Sequence, residues 1–397
     1  MNRFKKLSSI VLTTVLAMSV LSGCGQTGNT ANTSDRKVKL KLGIWPEATM
    51  TSEITLHEGY KAKLEDKDKD VEVVPSYYKY TTETFVPMAE AGNLPTIFET
   101  WYTEPQKLIK GGYVADITDI LKKRGWDEAI NPSIKKLLSD GNGRIYGIPR
   151  DGYALGVMAN VKLFKDAGLV DADGRPIIPK TWDELAKTAQ TIKQKTGSAG
   201  LCLLAKDAAG GWHFSNIAWA FGATLTTQEA DGKYKSHVDS KEAIEAMNYV
   251  KDLKWKYDVL TADPTNEDWG TGFSNLGTGA AAMYIAANDA VEQPTENNGL
   301  PAEDLAIFAM PAGPNGAQYS LSGGTPYMFS KDATEAEINA ALDYLELMGK
   351  APVATEDSIA GMEADAKRKV ETGIPVIKRF PAWVNKEVLD AEAKVLK

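Results

Sequence analysis

Val38-Lys39-Leu40-Lys41-Leu42-Gly43-Ile44-Trp45 alternates apolar and charged residues, the period of a half-buried strand. Downstream the pattern predicts a helix over about Thr51 to Lys67, a solvated Asp/Lys turn from Asp66 to Asp70, and a second strand, Val71-Glu72-Val73-Val74. Strand, helix, strand at this spacing predicts a parallel sheet. Leu94-Pro95-Thr96-Ile97-Phe98 reads as a short third strand that ends in a polar and aromatic loop, Glu99-Thr100-Trp101-Tyr102-Thr103-Glu104. In open α/β sheets ligands sit beyond the carboxyl ends of strands. This loop and the one at Trp45-Pro46-Glu47 are therefore expected to wall a pocket.

Further along, Asp140-Gly141-Asn142-Gly143 signals a tight turn, and Arg144-Ile145-Tyr146-Gly147-Ile148-Pro149 leads into the apolar segment Ala154-Leu155-Gly156-Val157-Met158. Thr181 with Glu184 three residues later forms a capping-box pattern that opens a helix to about Gln194. Later helices are expected at Trp212 to Gly222, Ser240 to Tyr257, Glu335 to Met348 and Ser358 to Thr372. The chain shows no internal repeats.

The first residues carry a different message. Arg3, Lys5 and Lys6 precede an apolar run from Leu7 to Val20, and Leu21-Ser22-Gly23-Cys24 follows. A positive head, an apolar middle too short to span a bilayer and small residues at the end predict an export signal over residues 1–23. The Leu-Ser-Gly-Cys order resembles the bacterial lipobox, which implies cleavage before Cys24 and a diacylglycerol on its thiol, with the protein held at the outer face of the cytoplasmic membrane. Small polar residues to Lys37 give a flexible tether over 24–37. With Cys24 acylated, Cys202 has no partner, so no disulfide framework is expected. A net charge of −8 without clustered Lys and Arg argues against nucleic acid.

Beyond the third strand, Gly112-Tyr113-Val114-Ala115-Asp116-Ile117, Tyr146-Gly147-Ile148-Pro149, Asn160 through Leu169 and Pro179-Lys180-Thr181-Trp182-Asp183-Glu184-Leu185 follow in order. With Phe273 through Met283 and Pro311-Ala312-Gly313-Pro314 to Gly323-Gly324, this order resembles the family 1 extracellular solute-binding proteins, the sugar-capturing subunits of ABC importers. The resemblance covers nearly the whole mature chain. It implies a two-lobe α/β fold of the periplasmic-binding-protein kind (type II), with several chain crossovers at a hinge and the ligand in the cleft. Carried onto this chain, lobe one is 38–150 plus 320–349 and lobe two is 153–318 plus 350–397. Crossovers fall near Pro149 to Tyr153 and Gln318 to Ser322, where Gly152, Gly323 and Gly324 suit a hinge. Relatives continue past Pro381-Ala382-Trp383-Val384 into a final helical segment, so the C-terminal layer of lobe two is either reduced or cut short here.

Sugars present apolar faces and a rim of hydroxyls, so their sites pair aromatic platforms with hydrogen-bonding polar groups. Nine tryptophans supply platforms. The resemblance places a stacking aromatic at Trp212, a polar contact at Tyr153 and further contacts at Asn288 and Asp289. Trp101 and Tyr102 join them from the third-strand loop, with Trp45 and Glu47 from the first and Gly323 and Gly324 from the return crossover. Each keeps a plain structural alternative: helix-start packing for Trp212, an N-cap for Asp289. His213 reads as a ligand contact or a structural histidine, and Trp383 as an aromatic over the cleft or a packing residue. Trp182 and Trp255 are assigned to the core.

Enzyme readings find no support. The chain has no Gly-x-Ser-x-Gly elbow and no phosphate-binding loop, and His57-Glu58 lacks the second histidine of a zinc protease helix. Three histidines, at 57, 213 and 237, leave little for a metal site, and no cofactor is expected. The expectation is a monomeric binding protein that captures a carbohydrate and passes it to an ABC permease. The alternatives are a binding protein for another solute, or a lipid-anchored glycan hydrolase or adhesin.

Overall fold

The computed structural model describes residues 37–395 except 49, 207–208, 231 and 378–379. The export signal, Cys24 and the tether up to residue 36 lie outside the described residues. Strands run in chain order as β1 (Val38–Leu42), β2 (Val71–Pro75), β3 (Ile97–Glu99), β4 (Gly147–Pro149), β5 (Tyr153–Asn160) and β6 (Thr226–Gln228). They continue as β7 (Tyr234–Ser236), β8 (Met283–Ala287), β9 (Leu305–Ala309), β10 (Ser322–Gly323) and β11 (Pro326–Phe329).

The first sheet has the order β2-β1-β3-β11-β4. β1 runs parallel to β2, with Val38 opposite Val71, and the helix Thr51–Lys67 makes the crossover. The alternation read in β1 is used directly: Leu40 and Leu42 are fully buried while Lys39 and Lys41 face water. β11 returns from late in the chain and inserts antiparallel between β3 and β4. Lobe one, the body on this sheet, has a core that includes Leu42, Ile97, Ile148, Tyr327 and Tyr344.

Lobe two is built on β5, which pairs antiparallel with β8 on one side and β9 on the other. Beyond β8, Cys202 bridges its Tyr284 in parallel and Ala199 bridges Ala281 just before it, and Leu201 bridges Leu260. Val157, Phe164, Trp182, Leu185 and Ile217 form the core, where a buried Phe such as Phe164 contributes about 1.5–3 kcal/mol. Trp182 is in that core as expected. Its helix, Trp182–Thr196, starts where Thr181 Oγ1 accepts the Glu184 N–H (3.2 Å), although Glu184 turns its carboxylate to the Lys180 N–H instead (2.7 Å). Trp255 is not in the core: it is 77% exposed. The helix Lys241–Trp255 buries Ala243, Ala246 and Leu253, and Trp255 lies two residues past Leu253, about 200° around the axis.

Two segments join the lobes as an antiparallel ribbon. In one, β4 continues through Arg150-Asp151-Gly152 into β5. In the other, β10 continues through Gly324-Thr325 into β11. Gly323 pairs with Tyr153 and Pro326 with Pro149, and between them the Arg150 N–H donates to the Thr325 carbonyl (2.9 Å). The return crossing therefore falls at Gly324–Thr325, later than the expected 318–322, because Ser320 and Leu321 are still bound to lobe two. Ser320 Oγ donates to the Leu155 carbonyl (2.7 Å), and the Leu321 N–H donates to the buried Asn216 side chain (2.6 Å).

The segment after Gly349 packs on both lobes rather than on lobe two alone. Arg368 pairs with Glu292 (2.6 Å) and Glu296 of lobe two, while Asn131 donates its backbone N–H to the Ala382 carbonyl (3.0 Å) in lobe one. Among the described residues no helix is long and apolar enough to cross a membrane.

Candidate functional site

The carboxyl ends of β3, β4 and β8 and the start of β5 converge at the ribbon, so the side chains that follow those strands face one another there. On the lobe-two side, the Tyr153 ring meets Trp212 edge to face at 6.2 Å and 78°. Burial pushes the Tyr153 hydroxyl's pKa up, the Trp212 indole beside it opposes that, and the negative charge of Asp289 adds to the rise. Asn288 fixes this wall to the sheet: its side-chain oxygen accepts the Ala154 N–H (3.1 Å) and its own N–H donates to the Ala154 carbonyl (3.0 Å). Gly323 lies under the Tyr153 ring, where a β-carbon would come within 2.4 Å of it. The structure thus brings together Tyr153, Trp212, Asn288, Asp289 and Gly323.

From lobe one, Tyr102 reaches the ribbon. Its hydroxyl donates to the Asp151 carbonyl (3.0 Å), and its ring edge abuts Gly324. Trp101 is 51% exposed and rests edge-on against Tyr80 (5.4 Å, 78°). Glu47 is exposed at the turn after β1.

Three expected contacts are placed elsewhere. Trp45 is buried in the lobe-one core, edge-on to His57 at 5.5 Å, because the turn after β1 folds it back onto the helix Thr51–Lys67. His213 has spent both ring nitrogens on the backbone: Nδ1 accepts the Leu204 N–H (3.1 Å) and Nε2 donates to the Ile285 carbonyl (2.9 Å). Burial pulls its pKa down to about 3, so it is a neutral structural imidazole joining the helix Gly210–Ala220 to β8. Trp383 is 6% exposed in the lobe-one core, edge-on to Trp126 at 6.3 Å.

The structure adds a group that the sequence reading passed over. Arg150 Nη1 binds Glu99 at 2.9 Å and Nε binds Asp151 at 2.6 Å, while Asp151 accepts the Thr325 N–H at 3.0 Å. Burial works against the guanidinium charge, but the two carboxylates overcome it and hold its pKa above the ordinary arginine value. This network fastens the carboxyl end of β3 to both segments of the ribbon. The only sequence signal was an adjacent Arg-Asp pair after a strand. A cavity of about 290 Å³ opens beside it, lined by Arg150, Asp151, Gly152, Lys369, Phe380 and Trp383 among others. Phe380 packs on Gly152, where an added β-carbon would sit 2.8 Å from its ring.

Aromatic edges, amide groups and carboxylates at a ribbon between two sheets suit a ligand held by stacking and hydrogen bonds. Among the described residues no group of three or more His, Cys, Asp or Glu side chains is placed to hold a metal ion. The sheet order with its inserted return strand, and the lobes joined by crossing segments, define a two-lobed α/β fold of the periplasmic-binding-protein kind. Residues 51–354 match the bacterial extracellular solute-binding protein family, and the chain belongs to that family, one of binding proteins rather than enzymes. It is 27% identical over 233 residues to the diacetylchitobiose-binding protein DasA of Streptomyces coelicolor, covering 55% of this chain and 48% of that protein. It is 26% identical over 191 residues to the melibiose/raffinose/stachyose-binding protein MelE of Bacillus subtilis, covering 47% and 40%. The matched region thus spans less than half the length of either curated relative. Maltose-bound MalE3 of T. maritima superposes with a TM-score of 0.64 at 18% identity, covering 86% of this chain and 83% of that one, a likeness of fold.

Proposed function

We propose that this protein captures a carbohydrate, an oligosaccharide, between its lobes and delivers it to an ABC importer from the outer face of the cytoplasmic membrane, anchored as a monomer through lipid on Cys24. The observation that carries the reading is the Tyr153–Trp212 edge-to-face pair beside Asp289 at the crossing ribbon. An aromatic face flanked by a carboxylate matches the two surfaces of a sugar ring, its C–H face and its hydroxyls. The names of the two curated relatives, which bind diacetylchitobiose and melibiose, raffinose or stachyose, support the same class of ligand. Lobe one and lobe two are the moving bodies, and the ribbon is the hinge about which they close on the ligand.

The test is a thermal-shift panel of glycans against the soluble form, since a ligand that binds only the folded state raises its melting temperature. Hits are followed by solution scattering at saturation. A rise with one glycan class together with a smaller radius of gyration is the expected result. A panel without a shift would sink the carbohydrate reading, and an unchanged profile at saturation would remove the hinge. Anchoring is tested separately: Cys24→Ala should abolish lipid labelling and release the protein, and a mature N-terminus found elsewhere would refute it.

A further inference from the structure

We infer that Trp269 is an outer stacking platform for a saccharide chain, with Trp101 as its counterpart on the opposite lobe, so that the binding groove favours ligands longer than a disaccharide. This rests on the carbohydrate reading above and extends it to chain length.

The placement follows from the sheet. The bridging residues Ala199 and Cys202 run parallel to β8, so the chain leaves them at the same end of the sheet where β8 delivers Asn288 and Asp289. At that end the Ala205 and Lys206 N–H groups both donate to the Glu267 carbonyl (3.2 and 3.1 Å), which joins the loop before Trp212 to the loop before Trp269. Lys206 Nζ also pairs with Asp268 at 2.9 Å. The helix Trp269–Thr278 then begins with a reciprocal capping box. Asp268 Oδ1 accepts the Thr271 N–H (2.9 Å) and Thr271 Oγ1 accepts the Asp268 N–H (2.7 Å), which fixes where Trp269 stands.

The ring itself is set up as a platform. Trp269 lies edge-on to the fully buried Phe273 at 4.8 Å and 80°, yet is 47% exposed. The Tyr284 hydroxyl donates to its carbonyl at 3.2 Å and ties its backbone to β8. An indole held rigid from beneath, open above and next to a carboxylate has the attributes by which aromatic side chains stack on sugar rings without losing rotamer freedom on binding. Trp101 repeats the construction on lobe one: half exposed, edge-on to buried Tyr80, whose hydroxyl donates to the carboxylate of Glu104 at 2.8 Å. Trp255 is more exposed than either and among the described residues packs against no other ring, which makes it the control.

The experiment uses two ladders of two to four sugar units, melibiose–raffinose–stachyose and the N-acetylated chitin oligomers, titrated calorimetrically into wild type, Trp269→Ala, Trp101→Ala and Trp255→Ala. In the ladder that binds, wild-type affinity should rise about tenfold from two units to four, the size of one stacking contact. Trp269→Ala should erase that rise while leaving disaccharide affinity within twofold, and Trp255→Ala should change nothing. A wild type that binds saccharides with no dependence on length overturns the inference and leaves the carbohydrate reading standing. Equal weakening at every length by Trp269→Ala, or no effect at any, overturns it as well. A wild type that binds neither ladder overturns the inference, and the carbohydrate reading falls with it when the glycan panel also gives no shift.

Discussion

Replacing Gly324 by alanine puts the ribbon between the lobes under a strain that can be worked out from its geometry. Its φ of +148° lies in a region that only glycine visits freely, and holding an alanine there costs about 1–3 kcal/mol. A β-carbon would also sit 2.5 Å from the Asp151 carbonyl oxygen, 2.7 Å from the Tyr102 ring and 3.1 Å from the Gly152 Cα. Asp151 and Tyr102 are joined by a hydrogen bond of 3.0 Å, and pushing them away loosens a bond worth about 0.5–1.5 kcal/mol net. The sum is about 2–4 kcal/mol. For a folded unit of about 360 residues, an unfolding entropy near 2.1 cal/mol/K per residue converts this to a melting temperature lower by ~3–5 °C. Scanning calorimetry reads it directly. Gly211→Ala is the control, because that helical position meets no atom within 4 Å and should hold or slightly raise the melting temperature. If Gly324→Ala melts within 1 °C of wild type, the close approach at the ribbon does not constrain the fold as argued.

Three further outcomes are expected. His213 binds a proton in the unfolded chain near pH 6.5 but in the folded protein only near 3, so its neutral burial contributes stability above pH 6.5 that is lost as pH falls toward 3; His213→Gln should flatten the melting temperature against pH across that window. Trp212→Ala should weaken ligand binding by about 1–3 kcal/mol through lost stacking, and Asp289→Asn by about 1.5–3 kcal/mol through lost charge-assisted hydrogen bonds; wild-type calorimetric affinity in both would mean the Tyr153 wall is not the site. Trp383→Ala should cost about 3–5 kcal/mol of stability, because it empties a core position against Trp126, while the protein that remains folded keeps its ligand affinity; denaturant titration paired with calorimetry separates the two.

Much of the frame was legible in the sequence because it rests on periodicity. β1 appears where the alternation puts it, the helix after it spans the expected Thr51–Lys67, and helices capped by Ser240 and Thr334 begin within a residue of expectation. What was not legible depends on helix phase and on distant partners. Trp212 and His213 are neighbours in sequence and their rings stack at 5.3 Å, yet Trp212 reaches out to Tyr153 while His213 is buried beneath it and fixed by bonds to Leu204 and Ile285. Arg150 acquires its meaning from Glu99, on another strand of the sheet. Trp45 follows a strand and Trp383 lies just before the last helix, but the turn after β1 folds the first inward and the bridge between Ile130 and Trp383 fixes the second. Composition shows that aromatic residues are available; which of them face the ribbon is decided by the paths of loops.

The strand order of the first sheet also sets a sequence of events during folding. β1 and β2 are close in the chain and joined by one helix, so their pairing closes a short loop, whereas the place between β3 and β4 is filled by β11, whose residues Pro326–Phe329 come after every strand of lobe two. Until that strand arrives, β3 and β4 each present an unpaired edge, and the barrier to closing the sheet includes the entropy of bringing together segments about 180 residues apart for β4 and about 230 for β3. The sheet of lobe one therefore closes late although it begins first, and its open edges are where a stalled or shortened chain would associate with another copy.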